Sequence, residues 1–183
     1  EKRASDLQTV SEVARAVSTE VHLENLLDLV TNVVSERFGF YHVGIFLLDQ
    51  ATRYAVLRAS NSAGGKRMVA RGHKLEIGQV GIVGHVAETA EPRIALDVGE
   101  DAVFFNNPDL PDTRSEMALP LRLRGRMIGV LDVQSDHPGA FQEVDMLVLR
   151  ALAGAIAIAV EDTRLYSALR RRAEQLQTIS EVS

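Results

Sequence analysis

Gly78, Gly81 and Gly84 precede an apolar stretch and could cradle an anion on free backbone N–H groups. No Lys-Ser/Thr pair of a P-loop follows them, and no strand–helix unit of the dinucleotide-binding kind precedes them. They read as the glycines of a tight strand-to-helix turn, which leaves open an N–H contact to an anionic part of a ligand. Asp97, Glu100 and Asp101 could attract a cation. A hard-cation cage needs more oxygen ligands than this segment offers, so an acidic surface loop is the simpler reading. His85 could ligate a metal or haem; with no second ligand in view it reads as a helix-surface or pocket-lining histidine.

Phe104 and Phe105 interrupt a long polar connection from Asp97 to Glu116. Connections of this length are often lids, and the two rings either plug a core or stack on a ligand. Arg114 stands among Asp109, Asp112 and Glu116, where it pairs with one of these acids or binds a ligand carboxylate or phosphate. The chain has no Gly-x-Ser-x-Gly elbow, no His-Glu-x-x-His and no kinase signature. With zero cysteines it has no disulfide, no thiolate catalysis and no thiolate metal site, which suits a reducing cytosol. The expectation is a cytoplasmic protein that is not an enzyme.

The elements that must hold these residues follow from periodicity. Thr113–Leu121 and Met127–Ser135 read as an antiparallel hairpin turning through Arg122–Arg126. Alternation puts Ser115, Met117, Leu119 and Leu121 on one face and Arg114, Glu116 and Ala118 on the other. The second strand is apolar at both parities, which predicts a sheet covered on both sides. Leu23, Leu26, Leu27, Val30, Val33 and Val34 form a helical stripe that Gly39 ends. Val43–Leu48 and Tyr54–Ala59 read as paired strands, Asn61–Gly72 as a loop, His73–Ile77 as a short strand and Ile82–Thr89 as a helix. The last helix starts near Gln142 and runs past Ser180, roughly 60 Å at 1.5 Å per residue.

A formal charge of −5 and 46% hydrophobic residues describe an ordinary globular chain, with Arg170–Arg172 its only tight basic cluster. Nucleic acid is not an expected partner. The apolar run Ala151–Val160 is too short to span a bilayer, so membrane insertion is not expected either. Leu7–Val13 reappears as Leu176–Val182, an offset of 176 − 7 = 169 residues, which suggests that a similar domain follows. Leu7, Val10, Ala14 and Val17, and at the other end Leu165, Leu169, Leu176 and Ile179, lie on heptad spacing broken by Arg172. These seams predict a homodimer, or packing of the terminal helices on each other. The expected organisation is a signalling helix over 1–20, a domain over 21–165, and a second signalling helix over 166–183.

Over roughly residues 20 to 166 the chain resembles GAF domains, the small-molecule sensor modules of signalling proteins. The likeness rests on the hairpin, on Gly81–Pro92 as the helix over the pocket and on Ile94-Ala95-Leu96-Asp97. Phe141-Gln142-Glu143-Val144-Asp145 matches the start of the family's last helix. The resemblance implies an α+β fold: an antiparallel GAF/PAS-like sheet of five or six strands, terminal helices on one face, and a short helix plus irregular lid over the other. It implies a pocket for an unidentified small molecule, with candidate residues Phe46, Val83, His85, Asp97, Phe104, Phe105, Arg114, Ser115 and Met117. Cysteine-dependent relatives, the methionine-sulfoxide reductases and the bilin binders, find no counterpart in a chain without cysteine. Asp136-His137 and Met146 depart from the cyclic-nucleotide pattern, while Phe141 and Asp145 keep it. No cofactor is specified. Bacterial multi-GAF sensor histidine kinases are the proteins the chain most resembles, with further GAF or kinase domains as neighbours. The rival reading is a ligand-free structural module for dimerisation and relay.

Overall fold

The computed structural model describes residues 8, 10–12, 22–101 and 104–182. Leu7, Ala14 and Val17 of the N-terminal seam lie outside these residues. Val10 lies within them and packs against the core, and Glu12 pairs with Arg37 at 2.5 Å.

Helix α1 (Leu23–Phe38) buries Leu26, Leu27, Val30 and Val34 and stops at Gly39, whose φ of 70° is the left-handed conformation that closes a helix. Strands β1 (His42–Leu48) and β2 (Tyr54–Ser60) follow, then helix α2 (Ala63–Ala70) and strand β3 (Lys74–Glu76). Next come helix α3 (Gly81–Thr89), strand β4 (Arg93–Ala95), strands β5 (Ser115–Leu123) and β6 (Arg126–Ser135), and helix α4 (Glu143–Val182). The six strands form one antiparallel sheet in the order β3-β2-β1-β6-β5-β4.

The expected hairpin is tighter than its sequence suggests. Leu123 and Arg126 themselves pair across it, leaving a two-residue turn at Arg124 and Gly125 with φ of 52° and 76°. Two positive φ values match the right-handed twist of the flanking strands. The larger correction concerns 61–72, expected as a loop and found to contain α2. Gly64 and Gly65 argue against a helix on propensity alone. Ser62 overrides them by accepting a hydrogen bond from the Gly65 N–H at 2.9 Å, and Met68 anchors the helix in the core. The glycines are needed for close approach: a Cβ on Gly64 would lie 2.0 Å from the Asp109 carbonyl oxygen, and one on Gly65 1.9 Å from Ser60 Oγ.

One face of the sheet carries α1 and the first half of α4. Its core joins Ile45, Met117, Leu119 and Leu131 to Leu27, Leu149, Leu152 and Ile156. The opposite face carries α2, α3 and the connection after β4. Asp145 starts α4 by accepting the Gln142 N–H at 2.9 Å, and Phe141 is buried beside it. The last buried residue of α4 is Thr163; beyond it Leu165, Leu169, Leu176 and Ile179 are exposed. Leu152→Ala should therefore cost about 2–5 kcal/mol in chemical denaturation. Leu176→Ala should leave the domain's unfolding free energy within about 0.5 kcal/mol.

Candidate ligand pocket

Strand register builds the floor of a pocket on the α2/α3 face. His42, Gln134 and Glu116 stand in one cross-strand row, and Gly44, Asp132 and Ala118 in the next. Phe46 and Val130 pair beyond them. The small residues flanking Asp132 make room: a Cβ on Gly44 would come within 3.0 Å of His42 Nε2. The roof is Met68 of α2, Ile82 and Val83 of α3, and Phe104, Phe105 and Leu110 from the connection between β4 and β5. About 40 Å³ is open to the centre of a water-sized sphere, room on the order of three waters.

Two carboxyls lie at the floor of this mostly apolar space. Glu116 is 5% exposed and Asp132 1%. Burial, then the neighbouring charges of Asp132 and Asp101, pushes the Glu116 carboxyl well above its ordinary range. Burial raises Asp132 to about 6, opposed by hydrogen bonds from Glu116 and Gln134. The two acids titrate as a coupled pair in which burial favours keeping a proton, more strongly at Glu116 than at Asp132. Gln134 Nε2 donates to Asp132 Oδ2 at 2.7 Å, and Thr113 Oγ1 donates to Gln134 Oε1 at 2.6 Å, fixing which way the amide faces. Asp132 Oδ1 has no hydrogen-bond partner. His42 Nε2 lies 3.9 Å from Asp132 Oδ2, but burial lowers its pKa to about 4, so this ring is neutral and supplies no counter-charge. Its Nδ1 is held at 2.7 Å from Ser62 Oγ, the hydroxyl that caps α2.

The lid is fastened by ion pairs at its rim. Asp109 bonds both Arg71 and Arg67 of the α2 segment, and Asp101 takes a two-pronged contact from Arg93 at 3.1 and 3.2 Å. Leu110 is buried, while Phe105 is 46% exposed at the mouth. Among the described residues no group of three or more His, Cys, Asp and Glu side chains gathers as a metal site.

Of the residues singled out from sequence, Phe46, Val83, Phe104 and Phe105 line the cavity. Ser115 and Met117 do not. They share parity with Leu119 and Leu121, so the pleat turns Met117 into the helix-side core, and Ser115 Oγ donates to the His137 carbonyl at 2.6 Å. Arg114 is exposed and contributes backbone bonds to Ser135 and Val98, while Asp109, one of its three expected partners, is taken by Arg67 and Arg71. Asp97 accepts the Gly99 N–H at 3.1 Å in a loop outside the cavity, and the half-buried His85 is not among the lining residues. Sequence reasoning missed Glu116, Asp132, Gln134 and His42. The available signal was an acid in mid-strand on each side of a hairpin otherwise apolar at both parities.

An antiparallel sheet with helices on one face and a small lidded pocket on the other defines an α+β domain of the GAF kind. The chain belongs to the GAF domain family, whose sequence profile matches residues 20–161. It is similar to the probable 3′,5′-cyclic phosphodiesterase pde-5 of Caenorhabditis elegans, 25% identical over 93% of this chain. This chain spans only 25% of that protein's length. Among solved structures it is similar to the free methionine-R-sulfoxide reductase of Neisseria meningitidis in complex with its substrate. The TM-score is 0.79 and the identity 27%, over 90% of this chain and 93% of that one. The GAF domain of a phosphoenolpyruvate-protein phosphotransferase from Coxiella burnetii shares the fold at TM-score 0.82 and 23% identity, over 92% of this chain and 99% of that one. No described helix is long and apolar enough to cross a membrane.

The buried acids carry a pH signature. The neutral His42 favours the fold as pH rises from about 4 to about 6.5, and adds nothing further above that. Glu116 works in the opposite sense: its folded-state pKa is raised, so its contribution is full below about 4.3 and is lost as pH rises toward the folded value. Above about pH 6.5, where the His42 contribution has ended, the ligand-free protein should lose stability with rising pH for as long as Glu116 stays protonated in the fold, with a slope of at most about 1.4 kcal/mol per pH unit. Glu116→Gln should flatten this limb in urea unfolding; equal slopes for the two proteins would refute the assignment.

Proposed function

We propose that this chain is a non-enzymatic regulatory GAF domain that binds a small molecule with a cationic or hydrogen-bond-donating head over Glu116 and Asp132. The observation that carries this reading is the pair of carboxyls, Glu116 and Asp132, buried side by side at the floor of the cavity with no cationic side chain among the residues lining it. Two buried carboxyls without a counter-charge are costly to ionise, and a ligand ammonium would relieve that cost. Phe46, Ile82, Val83 and Phe104 would hold the ligand's short apolar part. The Neisseria reductase takes a free amino-acid derivative by its name, and a free amino acid or simple amine is the size and charge class that suits this floor. Sulfoxide reduction by a thiol is not part of the proposal, because the chain has no cysteine.

The cavity must widen to admit anything larger than a few waters, so binding would work through the lid and α3. A ligand can shift the domain only by preferring one packing over another. We read α4, continuous from the core through Val182, as the element that carries the change to neighbouring domains. The proposed setting is a cytoplasmic sensor histidine kinase with further GAF or kinase domains in the same chain. The repeat of Leu7–Val13 at Leu176–Val182 supports the tandem arrangement. The exposed residues Leu165, Leu169, Leu176 and Ile179 would meet the same seam of a second copy. The small cavity volume favours one alternative, a ligand-free relay plugged by Phe104 and Phe105.

Thermal shift against free amino acids, primary alkylamines, matched alcohols and dicarboxylates separates these readings. A true amine ligand at a hundredfold excess over its Kd should raise Tm by roughly 5–10 °C, and Asp132→Asn should abolish the shift. Silence across the panel would leave the relay. For the seam, Leu169→Asp with Leu176→Asp should convert a dimer into a folded monomer in sedimentation. A wild-type monomer, or an unchanged mass in the double variant, would sink the dimer.

A further inference from the structure

We propose that Glu116 and Asp132 form an ion-exchange site, in which one proton occupies the empty pocket and the cationic head of the ligand displaces it. The inference rests on the reading of the pocket given above and adds how the site is loaded and regulated.

The geometry requires a cation of some kind. Two carboxyls on neighbouring strands lie on one face, a diagonal pair in the register Glu116↔Gln134 and Ala118↔Asp132. Both are buried, and both cannot be charged there without a positive partner. None of the described elements packed against them supplies it. From β1, His42 is neutral. From the lid, Asp101 adds negative charge, and the Arg93 guanidinium of β4 is engaged with it. His73, beside β3, is held neutral by burial and by Arg71, and its ring lies against Phe46. The elements above contribute Met68, Ile82 and Val83. The positive partner in the empty domain is therefore the proton on Glu116.

Loading balances as one exchange. The protonated Glu116 carboxyl and an alkylammonium give a carboxylate–ammonium pair, and the displaced proton passes to solvent. Gln134 keeps its bond to Asp132 Oδ2 throughout, so Oδ1 and Glu116 are the oxygens that turn to the ligand. Thr113 ties this arrangement to the end of the lid through Gln134. Affinity should rise with pH while the proton remains, by about tenfold per unit at the limit. Acidification would unload the sensor without touching the ligand.

The test uses butylammonium as probe on the full 183-residue chain. Infrared spectra of the ligand-free protein at neutral pH should show the C=O stretch of a protonated carboxyl, lost on adding butylammonium and absent from Glu116→Gln. Calorimetry in two buffers of different ionisation heat should count about one proton released per butylammonium bound. Glu116→Gln, keeping Asp132, should bind with affinity independent of pH above about pH 7, where Asp132 is ionised; the wild-type proton count stands even if that variant does not fold. Butylammonium bound without proton release would overturn the exchange and leave the pocket's reading intact. If butylammonium does not bind, or butan-1-ol binds as tightly, both readings fall.

Discussion

The period of two along β5 and β6 decides where every other part of this domain can go. Both strands are buried on both faces, so each successive side chain is committed to one of two unlike environments. Met117, Leu119 and Leu131 enter the helix-side core; Glu116, Ala118, Val130 and Asp132 form the floor beneath α2 and α3. A slip of one residue would drive two carboxylates into hydrocarbon and turn leucines into the pocket. The two-residue turn at Arg124-Gly125 pins that register from the closed end of the hairpin. The long α4 packs on one face of this arrangement, and the lid closes over the other.

The two faces are built on different physical terms. The helix side is a continuous apolar cluster of the kind that gives a domain its stability. The pocket side interrupts its own apolar cluster with Glu116, Asp132, Gln134, His42 and Thr113, all buried. Hydrogen bonds from Gln134 and Thr113 offset only part of the cost, and neither brings a positive charge to the two acids. Polar burial of this sort is poor stabilisation and good positioning, the usual compromise at functional sites. The α1/α4 face must supply the stability that the pocket face forgoes.

The parts of the fold that were legible in the sequence are those in which one local signal dominates. The stripe of Leu26, Leu27, Val30 and Val34 with its terminal Gly39, the paired apolar runs and the late helix all appear where periodicity puts them. Helix α2 was hidden because its glycines answer to Asp109 and Ser60, partners that only the fold brings near. The pocket was legible in its apolar half, Phe46, Val83, Phe104 and Phe105, but not in its polar half. Glu116 and Asp132 are 16 residues apart in sequence, 132 − 116, and become neighbours only once the hairpin registers. Ser115 and Met117 illustrate the limit differently. Alternation assigned their parity correctly, but which parity faces the pocket depends on how α1 and α4 pack.

Floor and lid also differ in how they meet the surrounding solution. The arginines that fasten Asp109 have side chains 62% and 52% exposed, whereas the acids of the floor are sealed. Dissolved salt reaches the fastening and not the floor, since screening acts on exposed charges over about 8 Å at physiological ionic strength. Ionic strength then becomes a handle on kinetics: it changes how often the pocket opens, and so the rates of entry and exit together. The occupancy reached at equilibrium stays governed by what lies inside. A pocket built this way can exchange its contents faster or slower as the salt around it changes while keeping the same affinity.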